Sequence, residues 1–350
     1  MKNLLRPIYN SVKIRVRECL NLPILPRMIE FDLTKVCNSH CQYCDIWKGT
    51  KVGTELTLEQ IEKTFSDPML KEVRSVIVTG GEPTTRSDLL QVYETIHKCL
   101  PNATLQLSTN AILKDRVIDI VKQVLAKGIK FEVGISIDGV GKDHDAVRRV
   151  PGNFDNVNYV INELAILKKQ YPDLLSVCLG MTISDLTVDK HDSIETYAKL
   201  KGLRLEYAWV EQTPFYANAD KDINVTKLKI DSIVSKLPEG LRKEMWLKDI
   251  KGESIRFDCY ALKTFFVLRY DGRISPCLHY YDDVIGNVKD QSFTEIWTGD
   301  KANALRKGLI KNCKGCLNTW AFAESNMAKL TPMIKYYLTH PKTFLKELKK

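Results

Sequence analysis

Six short apolar runs, MIEFDL, RSVIVTG, TLQLSTN, FEVGISID, SVCLGMTIS and LRLEYAWV, recur between residues 28 and 212. Stretches of helical spacing separate them: TLEQIEKTF, SDLLQVYETIHKCL, KDRVIDIVKQVLAKG, NVNYVINELAILKKQ and SIETYAKLK. Strand then helix, repeated, predicts a parallel α/β sheet whose strands are buried on both faces, because each crossover lays a helix against the sheet. The choice lies between an open doubly wound sheet and a barrel or partial barrel. In either, reactive residues gather at the C-terminal ends of the strands.

The polar motifs follow that rule. The first run leads into KVCNSHCQYCDIW (35–47), the second into GGEPTTRSD (80–88), the third ends in STN (108–110) and the fourth in SIDG (136–139). Any one of these is compatible with ordinary turn chemistry; together they place four polar ends on one rim.

Cys37, Cys41 and Cys44 bring three thiols into one loop. A structural zinc normally takes four ligands, so a fourth would come from elsewhere. An iron–sulfur cluster on three cysteines instead leaves one iron open to an external ligand. Spacing alone leaves iron–sulfur, zinc and coincidence open. The basic N-terminus lacks the apolar core and cleavage site of a signal peptide, and no apolar run reaches the roughly 18 residues of a spanning helix. The expected compartment is therefore the cytoplasm, where clustered cysteines are more often metal ligands or catalysts than disulfides. The net charge of +9 is spread along the chain. It reads as a solvated surface, with attraction to anionic molecules or lipid head groups as the alternative; no basic motif with interleaved aromatics points to nucleic acid.

Residues 213–255 are charged and helix-prone, a helical linker. A small module at 256–320 follows, in which strands flank a hairpin turn at YDGR. It carries Cys259, Cys277, Cys313 and Cys316, four thiols able to close a metal site that helps fold a module too small to bury its own core. Structural zinc fits this spacing too. The termini, 1–27 and 321–350, read as basic, weakly amphipathic packing helices, with peripheral membrane contact as the alternative. Cys19, Cys99 and Cys178 read as small buried hydrophobes.

The loop CNSHCQYC, with GGEP, STN, SIDG and HDAVRR (144–149) in this order, resembles the radical S-adenosylmethionine (radical SAM) superfamily over residues 28–212. The resemblance implies a partial (β/α)6 TIM-like barrel and a 4Fe–4S cluster on Cys37, Cys41 and Cys44. The open iron of that cluster would chelate the amino and carboxylate groups of S-adenosylmethionine. One-electron reduction by an external donor such as flavodoxin or ferredoxin would yield a 5′-deoxyadenosyl radical that takes a hydrogen atom from substrate. By the same resemblance Tyr43 lies against the adenine, and Gly80 and Gly81 let the backbone approach the methionine ammonium, with Glu82 and Pro83 fixing that turn. Asn110 contacts the ribose or methionyl group. Ser136 and Arg148 bind the carboxylate, with Arg149 the competing arginine. Asp138 belongs to the same cofactor-binding set or caps the following turn.

Further on, DGRISPC, GNV (286–288), SFTEIW and CKGC resemble the SPASM/twitch extension of these enzymes. This implies an auxiliary 4Fe–4S cluster on Cys259, Cys277, Cys313 and Cys316, in the shorter twitch form because no cysteine follows Cys316. A cluster without an open iron favours electron transfer. The expected function is then a radical SAM oxidoreductase that dehydrogenates a small polar molecule such as a sugar, an aminocyclitol or a nucleotide derivative. Glu206 is favoured as proton acceptor among Arg204, Glu206, Tyr207, Trp209 and Glu211. The rivals are a peptide- or protein-modifying maturase, against which the short segment before the barrel counts, and a non-catalytic iron–sulfur or zinc protein.

Overall fold

The computed structural model describes residues 2–49, 54–221, 223, 233, 234, 241–251, 253, 259–313, 316, 318, 321, 324, 325, 334, 338 and 339. Helix α1 (Lys2–Cys19) precedes β1 (Met28–Thr34). Strands β2 (Ser75–Gly80), β3 (Thr104–Thr109), β4 (Phe131–Ser136), β5 (Leu175–Ile183) and β6 (Arg204–Trp209) then lie side by side in chain order, every neighbouring pair parallel. The crossovers carry α2 (Leu58–Phe65), α3 (Leu89–Cys99), α4 (Lys114–Ala126), α5 (Lys142–Arg148), α6 (Asn153–Gln170) and α7 (His191–Leu200). Spatial order equals chain order when every crossover turns the same way, as right-handed βαβ units do.

The helices cover one face of the sheet. Val76, Val78, Leu105 and Val133 are fully buried against Ile61, Val92, Tyr93, Val121 and Leu164, and the Tyr93 ring meets Phe131 edge-on at 4.8 Å. The other face differs from the sequence expectation. Ile77, Thr79, Gln106, Ser108, Glu132, Gly134 and Ser136 alternate with the buried set and remain half-buried. Residues of all six strands line one cavity of about 550 Å³. The sheet therefore curls around a space as a partial barrel, with the helices on its outer face and the cavity on its inner one.

Beyond β1 the sheet continues through β7 (Phe265–Leu268), β8 (Arg273–Ser275) and β9 (Gly286–Asn287). β7 pairs with β1 in parallel and with β8 antiparallel, the turn between them being the predicted YDGR hairpin. The auxiliary module is thus hydrogen-bonded into the main sheet. Of the predicted 213–255 linker, α8 (Leu241–Ile250) is a described helix. The predicted 321–350 tail lies outside the described residues except for isolated positions. Helix α9 (Phe293–Thr298) opens with a capping box, Ser292 and Glu295 exchanging side-chain bonds with each other's backbone N–H. Its Phe293 and Trp297 pack on Phe266 at 4.8 and 5.5 Å. Cys178 is buried as expected, but Cys19 is exposed at the end of α1 and Cys99 is half-buried. No helix among the described residues is long and apolar enough to cross a membrane.

The ends of β1 and β2 touch. The Gly81 N–H donates to the Thr34 carbonyl at 2.7 Å and the Glu82 N–H to the Val36 carbonyl at 2.8 Å. A Cβ on Gly81 would stand 2.2 Å from the Val36 oxygen, and one on Gly80, at φ +124°, 2.3 Å from the Thr34 oxygen. Only glycine permits this approach, which anchors the start of the three-cysteine loop. Gly81→Ala is expected to lose about 1–3 kcal/mol by overpacking against backbone that cannot rotate away. Urea denaturation measures the loss, and a wild-type midpoint would show that the two strand ends are free to separate.

Candidate metal centres and cofactor site

The cysteine loop is held from three sides. The Gln42 N–H donates to the Val147 carbonyl at 3.0 Å, the Asp45 N–H to the Tyr216 carbonyl at 3.0 Å, and the Asn218 amide to the Tyr43 carbonyl at 2.9 Å. Cys37, Cys41 and Cys44 line one pocket of about 270 Å³ together with Tyr43, Gly80, Gly81, Glu82, Asn110, Ser136, Arg148 and Thr182. Burial pushes the Cys37 and Cys44 thiols up to about 12, with the neighbouring Cys41 contributing. The Cys37 and Cys44 thiols are neutral until a metal displaces their protons. Three soft donors in one partly enclosed pocket, with no carboxylate ligand set among them, suit an iron–sulfur cluster with an open position.

The structure assembles most of the sequence-predicted residues around this pocket. Asp138 has no exposed surface. Its Oδ2 accepts from the Tyr43 hydroxyl at 2.6 Å and faces Arg148 Nε at 2.6 Å, while its Oδ1 accepts from the Thr182 N–H at 3.1 Å. It is the buried partner of Tyr43 and Arg148, which displaces the alternative of a simple turn cap. Arg148 Nη1 also donates to Cys41 Sγ at 3.6 Å, and Ser39 Oγ lies 3.2 Å from the same sulfur. Arg149 is exposed in a left-handed conformation at the end of α5, so Arg148 is the arginine at the pocket.

Glu82 ties two strand ends together. Its Oε1 accepts from the Thr84 hydroxyl at 2.6 Å and the Thr109 hydroxyl at 2.8 Å, and its Oε2 from the Asn110 N–H at 2.7 Å. Burial raises its pKa even against these donors. Pro83 begins the short helical turn Pro83–Thr85 that Glu82 caps. Asn110 donates to Asn38 Oδ1 at 2.8 Å, joining the third strand end to the cysteine loop.

Cys259, Cys277, Cys313 and Cys316 line a separate cavity of about 250 Å³ with His279 and Tyr280. Burial raises Cys259 to about 11 and Cys277 to about 12, and raises Cys316 further. Four convergent thiols fit a fully ligated cluster. Glu211, His279 and Cys316 present ligand atoms within 4.8 Å of one another, and His279 Nε2 stands 3.1 Å from Glu211 Oε1. Glu211 also lines the 550 Å³ cavity, so that pair forms the wall between the large cavity and the second cysteine set. Glu206 is on the large cavity too, with its Oε1 2.7 Å from Arg204 Nε.

Sequence reasoning passed over Glu30, Glu132, Tyr216 and His279, all at these cavities. For Glu30 and Glu132 the signal was present: a carboxylate at an inward position of a strand otherwise apolar.

Residues 32–193 match the model of the radical SAM superfamily, and residues 259–317 match the SPASM iron–sulfur cluster-binding domain. The chain is 25% identical over 317 residues to an AdoMet-dependent heme synthase of Methanosarcina barkeri, covering 81% of this chain and 84% of that protein. It is 28% identical over 350 residues to a pre-heme d1 synthase of Dinoroseobacter shibae, covering 85% and 79%. The solved structure of native anSMEcpe with bound AdoMet and Kp18Cys peptide superposes with a TM-score of 0.59 at 20% identity, covering 87% of this chain and 88% of that one, a likeness of fold.

His144 yields a prediction independent of any metal. It is fully buried, and its Nδ1 accepts from the Asp138 N–H at 3.3 Å. Burial, then Arg148, lowers its pKa to about 4. A histidine whose folded pKa is depressed contributes stability that is complete above its unfolded value near 6.5 and is lost as pH falls toward 4. Stability should drop by about 2 kcal/mol between pH 7 and pH 5 on this account, and His144→Gln should remove that part of the slope in urea titrations. An unchanged slope would place the titration elsewhere.

With the three-cysteine loop and the rim motifs around one pocket, and both domain models matched in order, the chain carries a radical SAM domain over residues 32–193 and a SPASM iron–sulfur cluster-binding domain over residues 259–317, whose cofactors are 4Fe–4S clusters and S-adenosylmethionine.

Proposed function

We propose that this chain is a radical SAM oxidoreductase that removes two hydrogens from a small polar substrate, such as a sugar, an aminocyclitol or a nucleotide derivative. The observation that carries the reading is a cavity of about 550 Å³ lying between two cysteine sets. It shares Thr79, Ser108, Ser136, Gly180, Ala208 and Tyr216 with the three-cysteine pocket, and Glu211 against His279 joins it to the four-cysteine cavity. In this reading Cys37, Cys41 and Cys44 hold one cluster, and Cys259, Cys277, Cys313 and Cys316 hold the other. When bound, the clusters supply the electron that cleaves S-adenosylmethionine to a 5′-deoxyadenosyl radical and a sink for the electron that leaves the substrate.

The chain's own side chains position and deprotonate. Arg148 and Ser136 receive the carboxylate of S-adenosylmethionine, the arginine already oriented by Asp138. The backbone at Gly80 and Gly81 meets its ammonium, Asn110 its ribose or methionyl group, and Tyr43 its adenine. The abstracted hydrogen comes from a C–H beside a hydroxyl or amine, and the same carbon centre then gives up an electron and a proton to become a ketone or imine. Glu206 on the cavity wall is the proposed proton acceptor. Glu211 is the nearby carboxylate against the second cysteine set.

Iron and acid-labile sulfide, measured after anaerobic reconstitution, test the two-cluster arrangement. Wild type is expected to hold about eight irons per chain and the Cys37, Cys41, Cys44→Ala triple variant about four. About four in wild type and none in the variant would remove the second cluster and with it the oxidative reading.

A further inference from the structure

Among the described residues, carboxylates outnumber cations on the wall of the large cavity. Among the described residues its wall carries Glu30, Glu132, Glu206, Glu211 and Glu324, against Arg204 as the cation. Arg204 is already engaged, 2.7 Å from Glu206 and 3.7 Å from Glu132, and its side chain is 58% exposed at the cavity's edge. Glu211 faces His279.

Glu30 is different. It sits at the centre of β1 with 4% of its surface exposed, and its Oε2 is shielded from solvent without a hydrogen-bond partner. Lys35, whose charge reaches Glu30, stands 3.0 Å from Asp32 instead. A carboxylate at the middle of a β-strand, lining a cavity and left without a donor, is costly to keep in a fold unless something else supplies the donor. Burial, followed by the charge of Asp32, raises the Glu30 pKa well above the usual carboxylate range, as expected of a group whose countercharge is missing.

We propose that the cavity takes a substrate bearing a positively charged group, an ammonium or guanidinium, seated on Glu30. An ammonium offers three donors and a full countercharge, and a guanidinium offers a planar fork that a carboxylate can accept from two sides. A phosphorylated or carboxylate-rich molecule would meet five glutamates and one arginine among the described residues of the wall. This assignment rests on the large cavity being the substrate site, and it narrows the small polar substrate to an amine or guanidine, with an aminocyclitol fitting and a nucleotide not.

The test is binding rather than turnover. Isothermal titration of the full, cluster-loaded chain with S-adenosylmethionine present uses cyclohexylamine, cyclohexanol and cyclohexanecarboxylate, three probes with one ring that differ in charge. Cyclohexylamine is expected to bind about tenfold tighter than cyclohexanol, with the carboxylate weakest, and Glu30→Gln is expected to abolish that preference while leaving cyclohexanol unchanged. Visible absorbance of the clusters serves as the folding control, and if the variant does not assemble, the wild-type order of the three probes decides. Equal or tighter binding of the alcohol or the acid, no binding of the amine, or a preference retained in Glu30→Gln would overturn the assignment. A chain that seats the amine yet oxidises no amine would instead refute the dehydrogenation and leave the cation site standing.

Discussion

A carboxylate without exposed surface holds the cofactor site together. Asp138 lies just past β4, accepts from Tyr43 on the cysteine loop and from the N–H of Thr182 on β5, and forms an ion pair with Arg148 on α5. Removing two charges from water is expensive unless they are paired and their remaining donors and acceptors satisfied. Asp138 and Arg148 therefore stabilise the fold only when all four segments are in place. Through Arg148 Nη1, 3.6 Å from Cys41 Sγ, the same network reaches a sulfur of the three-cysteine loop. The shape of the pocket and the folding of its surroundings are in this sense one equilibrium.

Much of this was legible in the sequence because the relevant signals are local. A cysteine spacing, a Gly-Gly turn and an Asp-Gly hairpin each act within a few residues, and the structure has them as the three-cysteine loop, the β1–β2 contact and the β7–β8 turn. What was not legible depends on distance along the chain. The Asp138 side chain looks like a turn cap until Tyr43, far upstream, is seen donating to it. Nothing near Cys277 marks His279 as the partner of Glu211.

The inner face of the barrel was misread for another reason. Runs such as TLQLST and FEVGIS read as apolar strands, although every second residue is polar or small. Burial on both faces holds where helices cover both sides of a parallel sheet. A sheet that curls on itself instead turns one face toward its own axis, and here Gln106, Glu132 and Ser136 line that interior. Period-two alternation in a parallel-strand segment is thus a sign of a lumen large enough to hold a ligand.

The pairing of β7 with β1 sets the geometry between the two cysteine groups. Cys259 and Cys277 bracket the β7–β8 hairpin, whose backbone is bonded to the strand that carries Glu30 and Asp32. Asp32 accepts from the Tyr281 hydroxyl and lies 3.0 Å from Lys35, whose ammonium sits 4.2 Å from the Phe215 ring and 4.6 Å from Tyr281. Ile46, Phe215, Val267, Leu278 and Tyr281 form one buried cluster across the same junction. A module carried on a flexible linker could close down on a bound molecule. One built into the sheet can change its distance from the barrel only by breaking strand hydrogen bonds and unpacking those rings. The width of the cavity is therefore fixed before any substrate arrives, and selection among substrates falls to the chemistry of the wall.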